Sequence, residues 1–191
     1  MRVLCLHGHT QSASSFSSKT GAIRKIFKNA TFVYINAPFN FEQGKTWWTY
    51  NDSKLVGLET ALKCVIDTLN ESEFDGLLGF SQGACLVALI ASISNNSKNH
   101  DLQLKRKIKF LIIACGFKSR DPEHEFFYTS KIDIPSLHLF GKGDDLVSEE
   151  RSRSLLQSFV NPIEFHFDGN HVFPTKAEAR AVIKDFLEKH K

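Results

Sequence analysis

A doubly wound, mostly parallel α/β sheet of about six strands with flanking helices is the fold this sequence predicts. Two observations predict it. Six apolar runs of strand length recur along the chain, and helical patterns separate them. Parallel neighbours need such crossovers, and the crossovers are right-handed. The 191 residues also suit one domain, residues 1–191, at the usual size of roughly 150 residues. Neither an internal repeat nor a shift in composition marks a second unit.

Arg2 to His7 (RVLCLH) reads as a buried strand that ends at Gly8. A polar, serine-rich loop follows, then a helix over about Lys19 to Lys28 with Ile23, Ile26 and Phe27 inward. Thr31 to Asn36 (TFVYIN) is the second strand, and Ala37-Pro38 stops it. A loop carrying Phe39, Phe41, Trp47 and Trp48 leads to an amphipathic helix, where Leu55, Leu58, Leu62, Val65 and Leu69 form one stripe. Phe74 to Phe80 is the third strand. The helix after it, Gln82 to Ser94, is apolar nearly all round, as a helix packed on a sheet should be. Asn95 to Asp101 reads as a polar loop, with Phe110 to Ala114 and Ser136 to Phe140 as strands four and five. Ser148 caps a helix whose first turn holds Glu149 and Glu150, which suits its dipole. Ile163 to Phe167 is the sixth strand. The last helix opens on a capping box, Thr175 to Glu178, and buries Val182, Ile183, Phe186 and Leu187.

Composition excludes several classes. Hydrophobic residues at 42% and charged residues at 24% belong to a globular chain rather than a disordered or collagenous one. The four cysteines, Cys5, Cys64, Cys85 and Cys115, lack metal or redox spacing and read as structural. The N-terminal apolar run is too short for a signal peptide, and no stretch approaches the ~20 residues of a membrane helix. A cytoplasmic protein with no integral membrane segment is the expectation. Net charge is +3, and the basic cluster Lys105, Arg106, Lys107 and Lys109 has no interleaved aromatics. It reads as a solvated loop, so no nucleic-acid partner is expected. The 17 phenylalanines must be buried or line something apolar.

Ligand sites in such sheets lie beyond the carboxyl ends of the strands, so those ends are where chemistry should appear. After strand three comes Gly79-Phe80-Ser81-Gln82-Gly83, a G-x-S-x-G string. As a string it would arise by chance in roughly one chain in fifteen of this length. Between a buried strand and a buried helix it predicts a sharp turn that exposes Ser81 Oγ as a nucleophile. After strand five, Gly141-Lys142-Gly143-Asp144 puts an acid at the same edge. After strand six, Asp168-Gly169-Asn170-His171 puts an imidazole there. Ser81, Asp144 and His171 thus form a candidate triad: nucleophile, orienting acid and base. Asp145 is the alternative acid, and Asp168 reads as a turn residue.

The oxyanion would take the backbone N–H of Gln82 and a second from the loop after strand one, His9 first and Thr10 second. Trp47, Trp48, Phe39 and Phe41 either wall an acyl site or cap the core. His7 and His9 alternate like a metal pair but lack a third ligand, so no metal site is expected. His138 and His166 read as satisfied core histidines. His124 lies in an irregular segment, Lys118 to Lys131, without chemistry of its own.

LCLHGHTQS, KTGAIRK, the WW pair, FDGLLGFSQGA, PSLHLFGKGDDLV and GNHVFP together resemble the FSH group, the "family of serine hydrolases". That group includes the vertebrate ovarian tumour-suppressor-candidate esterases. The resemblance runs from Val3 to Pro174. It implies an α/β-hydrolase fold, the triad Ser81, Asp144 and His171 with the acid at the Gly141-x-x-Asp144 spacing, and carboxylesterase or thioesterase activity. The loop between Pro38 and Trp47 is shorter than in the vertebrate members.

The expected function is a cofactor-independent serine esterase. Its substrate is a small-molecule ester with an apolar acyl group, or as a rival a thioester. Protein partners are not legible. A non-catalytic receptor would also use this fold, but all three triad residues are present. A nucleotide binder would want a richer glycine loop than HGHTQS. At 191 residues little is left for a lid. The pocket should therefore be built from edge loops, with Phe39, Phe41, Phe117, Phe126 and Phe127 placed to supply it.

Overall fold

The computed structural model of the chain describes residues 1–52, 54–95 and 103–191. Its first part runs β1 (Arg2–Leu6), α1 (Ala13–Lys19), α2 (Gly21–Ile26) and β2 (Thr31–Ile35). Four short strands follow: β3 (Phe39–Phe41), β4 (Gly44–Thr46), β5 (Thr49–Asn51) and β6 (Lys54–Val56). Next come α3 (Leu58–Glu71), β7 (Gly76–Phe80), α4 (Gln82–Asn95) and β8 (Phe110–Ala114). A 3₁₀ helix (Pro122–Tyr128) precedes β9 (Ser136–Gly141), α5 (Glu149–Leu156), β10 (Ile163–Phe167) and α6 (Ala177–Lys189).

The main sheet has six strands in the order β10-β9-β8-β7-β1-β2, and every pairing is parallel. The chain starts inside the sheet at β1, moves out to β2, then returns to β7 on the other side. The direction of winding therefore reverses between β1 and β7, and a crevice opens at their carboxyl ends. Side chains alternate across the sheet. Leu4, Leu6, Leu77, Leu111 and Ile113 pack under α3 and α4, while Val3, Cys5, Leu78, Ile112 and Leu139 pack under α1, α2 and α6. Burial on both faces explains why these strands read as continuous apolar runs. Most of the phenylalanines are in this interior.

The structure revises several expected elements. The serine-rich stretch after β1 is helical, because Ser12 and Ser15 form a reciprocal capping box that starts α1. A short α2 replaces the helix expected over Lys19 to Lys28. The third strand begins at Gly76 rather than Phe74. The aromatic loop after β2 is two antiparallel hairpins, β3–β4 and β5–β6. Thr175 does not cap α6; Lys176 holds the cap position without a side-chain bond. Ser148 does cap α5, accepting from the Arg151 N–H. The loop expected over Asn95 to Asp101 lies outside the described residues beyond Asn95. Of the basic cluster, Arg106 pairs with Glu73 at 2.9 Å and Lys109 with Asp75 at 2.6 Å. Among the described residues no helix is long and apolar enough to cross a membrane.

His138, expected to be satisfied, is not. It is fully buried on β9, with Nε2 3.2 Å from Ser136 Oγ, Nδ1 without a partner and the Phe159 ring 4.7 Å away. Burial pushes its pKa down to about 3 from an ordinary 6.5. The unfolded chain then binds a proton below pH 6.5 that the folded chain refuses. The stabilising effect is whole above pH 6.5 and is lost as pH falls towards 3, at about 1.4 kcal/mol per pH unit for this group. His138→Leu should flatten that part of the acid limb. Denaturant unfolding of both proteins between pH 7.5 and 4.5 reads the difference; equal slopes would contradict it.

Candidate active site

The crevice at the β1/β7 switch collects the predicted residues. Ser81 follows β7 directly and holds φ at 54°, a left-handed conformation that costs a side-chain residue energy. The flanking glycines make this turn possible. A Cβ on Gly79 would lie 2.5 Å from Gly83 O, and one on Gly83 only 2.2 Å from Leu6 O. Helix α4 and strands β1 and β7 can approach only because both side chains are absent. The Ser81 hydroxyl is left at the N-terminus of α4, where the helix dipole favours negative charge.

Asp144 stands in the turn after β9. Its Oδ1 accepts the N–H groups of Leu146 at 3.1 Å and Val147 at 2.8 Å, which fixes the carboxylate. Its Oδ2 lies 2.7 Å from His171 Nδ1, and His171 Nε2 lies 2.7 Å from Ser81 Oγ. The carboxylate makes Nδ1 the protonated nitrogen, so Nε2 is free to accept the serine proton. The Phe80 ring, 5.1 Å away, flanks the imidazole. Asp145 makes no such contact. Asp168 pairs with Lys142 at 2.8 Å, as a surface turn residue does.

Cys115 was read from sequence as a plain core residue, and its position is more particular. Its Sγ and ligand atoms of Asp144 and His171 lie within 4.8 Å of one another. Burial drives the thiol pKa up, so it stays protonated, with Sγ 3.7 Å from Val172 O. Both His171 nitrogens are already engaged, so the trio leaves no imidazole lone pair for a metal. His7 is likewise occupied: Nδ1 faces Gly8 O at 2.7 Å and Nε2 accepts the Ala37 N–H at 3.1 Å.

Among the described residues, no backbone carbonyl accepts the N–H groups of Gln82, His9 or Thr10. The side chains of Gln82 and His9 meet at one buried hydroxyl. Thr46 Oγ1 lies 2.9 Å from His9 Nδ1, 3.0 Å from Gln82 Oε1 and 2.6 Å from Trp48 O. Gln82 Oε1 also accepts the Trp47 N–H at 3.0 Å, and its Nε2 donates to Trp48 O at 2.9 Å. This network ties the β4–β5 corner to the start of α4. Burial holds the His9 pKa down, opposed by the Glu42 carboxylate.

Beside Ser81 opens a cavity of about 350 Å³. Its walls are His9, Gln82 and the side chains of Phe41, Trp48, Thr49, Tyr50 and Phe117. Of the expected wall residues, Phe41, Trp48 and Phe117 are there. The other four are elsewhere. Trp47 is buried in the core and donates its indole N–H to His7 O at 2.8 Å. Phe39 packs over Gly57. Phe126 is exposed and stacks on Phe127 at 4.1 Å, and Phe127 turns into the core. Thr49 and Tyr50 were missed. The turn residues Asn51-Asp52, with Asp52 at φ 53°, were the available sign of a hairpin there.

The family described as serine hydrolase (FSH1) matches residues 1–183. The esterase OVCA2 of Danio rerio is 33% identical over 224 residues, covering 99% of this chain and 97% of that protein. The esterase C25G4.2 of Caenorhabditis elegans is 32% identical over 208 residues, covering 98% and 92%. Among solved structures, acyl-protein thioesterase 2 of Zea mays matches with a TM-score of 0.72 at 18% identity, over 99% of this chain and 93% of that one. That likeness is one of fold, the α/β-hydrolase fold.

Proposed function

This chain belongs to the serine hydrolase (FSH1) family, and on that premise we propose that it cleaves carboxylic esters with an apolar acyl group through an acyl-enzyme on Ser81. The observation that carries this reading is the continuous pair of 2.7 Å contacts from Asp144 through His171 to Ser81. His171 Nε2 takes the hydroxyl proton as Ser81 Oγ attacks the ester carbon. The oxyanion that forms is stabilised by the N–H of Gln82 and by that of His9, with Thr10 as the other candidate donor. Collapse breaks the acyl–oxygen bond, and the imidazolium gives its proton to the departing alkoxide. Water, deprotonated by His171, then releases the acid and frees the serine. Asp144 holds the tautomer and balances the imidazolium charge. The largely aromatic cavity of about 350 Å³ suits the acyl chain.

A thioester would pass through the same intermediate, so substrate comparison decides between them. p-Nitrophenyl esters of increasing chain length, assayed beside the matching acyl-CoA thioesters, test the reading. kcat/KM should rise with chain length until the cavity is filled, and esters should exceed thioesters. Turnover of the thioesters alone would replace this reading with a thioesterase. Failure of every substrate to exceed the Ser81→Ala background would remove the enzymatic reading.

A further inference from the structure

Three consecutive residues of β4 hold three consecutive residues of the loop after β1. A Cβ on Gly44 would lie 2.0 Å from Thr10 O, so strand and loop touch backbone to backbone there. The Lys45 N–H donates to Gln11 O at 2.8 Å, and the two residues form an antiparallel bridge. The Thr46 hydroxyl meets His9 Nδ1 at 2.9 Å. The loop needs such support, because Thr10 holds φ at 61°, a left-handed conformation that its surroundings must maintain.

One hydroxyl proton decides how Thr46 and His9 meet. The Gln82 amide is oriented independently, since Oε1 accepts the Trp47 N–H at 3.0 Å and Nε2 donates to Trp48 O at 2.9 Å. Thr46 Oγ1 therefore faces two oxygens that can only accept, Trp48 O at 2.6 Å and Gln82 Oε1 at 3.0 Å. These oxygens claim the single hydroxyl proton, so towards His9 the hydroxyl must accept. Burial lowers the His9 pKa from its ordinary 6.5, and the neutral ring carries one proton. That proton is on Nδ1, and Nε2 is bare. Thr46 is fully buried, and among the described residues it is the only hydrogen-bond partner of the His9 side chain. Without Thr46 the Gln82 amide keeps its bonds to Trp47 and Trp48, whereas the imidazole keeps none.

We infer that Thr46 is a positioning residue for the oxyanion site: by accepting from His9 Nδ1–H, its hydroxyl fixes the two peptide groups that flank the His9 Cα. The inference rests on the reading of Ser81 as the ester-cleaving nucleophile. The N–H groups of His9 and Thr10 belong to those two peptides, so one side-chain bond orients both candidate donors. The same hydroxyl contacts the Gln82 side chain, so it spans the loop after β1 and the first residue of α4. Thr46 touches no reacting atom and acts through His9. Donors aimed in advance stabilise the oxyanion without reorganising at the moment of reaction, and a loosened loop loses that advantage.

Thr46→Val keeps the shape of the side chain and removes the hydroxyl. On a p-nitrophenyl ester its kcat should fall about ten- to a hundredfold with KM nearly unchanged. A trifluoromethyl ketone, which forms a tetrahedral adduct on the serine, should lose affinity by a similar factor, while the product acid binds as before. Thr46→Ser, which retains the hydroxyl, should restore the wild-type values. His9→Ala should lose a comparable factor in kcat, and adding Thr46→Val to it should cost little more. Wild-type kcat in Thr46→Val, a loss expressed in KM alone, or no recovery in Thr46→Ser overturns the positioning role and leaves ester hydrolysis intact. Effects that multiply in the double variant overturn it as well. If Thr46→Val does not fold, His9→Ala carries the test, because it leaves Thr46 bonded to Trp48 O; wild-type kcat there overturns the role. If the wild type hydrolyses no ester above the Ser81→Ala background, the nucleophile reading fails and the positioning role fails with it.

Discussion

Ser81→Ala should lower kcat on a p-nitrophenyl ester by roughly a million-fold, leaving only what binding and the oxyanion donors supply. The size of the effect follows from the geometry. Ser81 Oγ is the atom that His171 Nε2 addresses at 2.7 Å, and alanine removes it without disturbing the turn. Alanine inherits the same φ of 54°, and Gly79 and Gly83 still allow the close approach of strand and helix. The variant should therefore unfold at nearly the same denaturant concentration as wild type. Unfolding curves and single-turnover kinetics check both halves. Residual kcat within a hundredfold of wild type would contradict the assignment.

Asp144→Asn should cost about 10⁴-fold in kcat with little change in fold. The loop explains why so small a change is so damaging. The N–H groups of Leu146 and Val147 hold one side-chain oxygen of residue 144. An asparagine would keep its carbonyl there and turn its NH₂ towards His171. Facing a donor, Nδ1 must accept, so the ring proton moves to Nε2. That nitrogen can then no longer take the Ser81 proton. Asp145→Asn, at the other acid the sequence offered, should change kcat by less than a few-fold. The reverse ranking of the two variants would show that the acid had been misassigned.

The strands, their parallel character and the candidate residues beyond their carboxyl ends were legible because each rests on local signals. Apolar runs between helices mark buried strands; Ser81 follows one directly, and Asp144 and His171 stand in the turns after two others. The cavity wall was only half legible. Phe41, Trp48 and Phe117 line it, while Phe39, Trp47, Phe126 and Phe127 turn elsewhere. Three-residue strands such as β3 to β6 are too short for a period of two to stand out, so the hairpins that orient these rings were hidden. The orientation of Trp47 against Trp48 depends on hydrogen bonds to His7 and Gln82, residues far away in sequence. The Ser12 cap was missed because serines were read as loop formers, although Ser-x-x-Ser at a helix start can supply both halves of a capping box.

The central claim is that Ser81 is a nucleophile activated by His171, and a fluorophosphonate probe reads that directly. Incubation with the folded protein, followed by peptide mass spectrometry, should place a single phosphonyl group on Ser81 and none on Ser81→Ala. Labelling of His171→Ala should be slower by orders of magnitude. No adduct on the folded wild-type protein, or an adduct carried by another residue and undiminished in Ser81→Ala, would contradict the account.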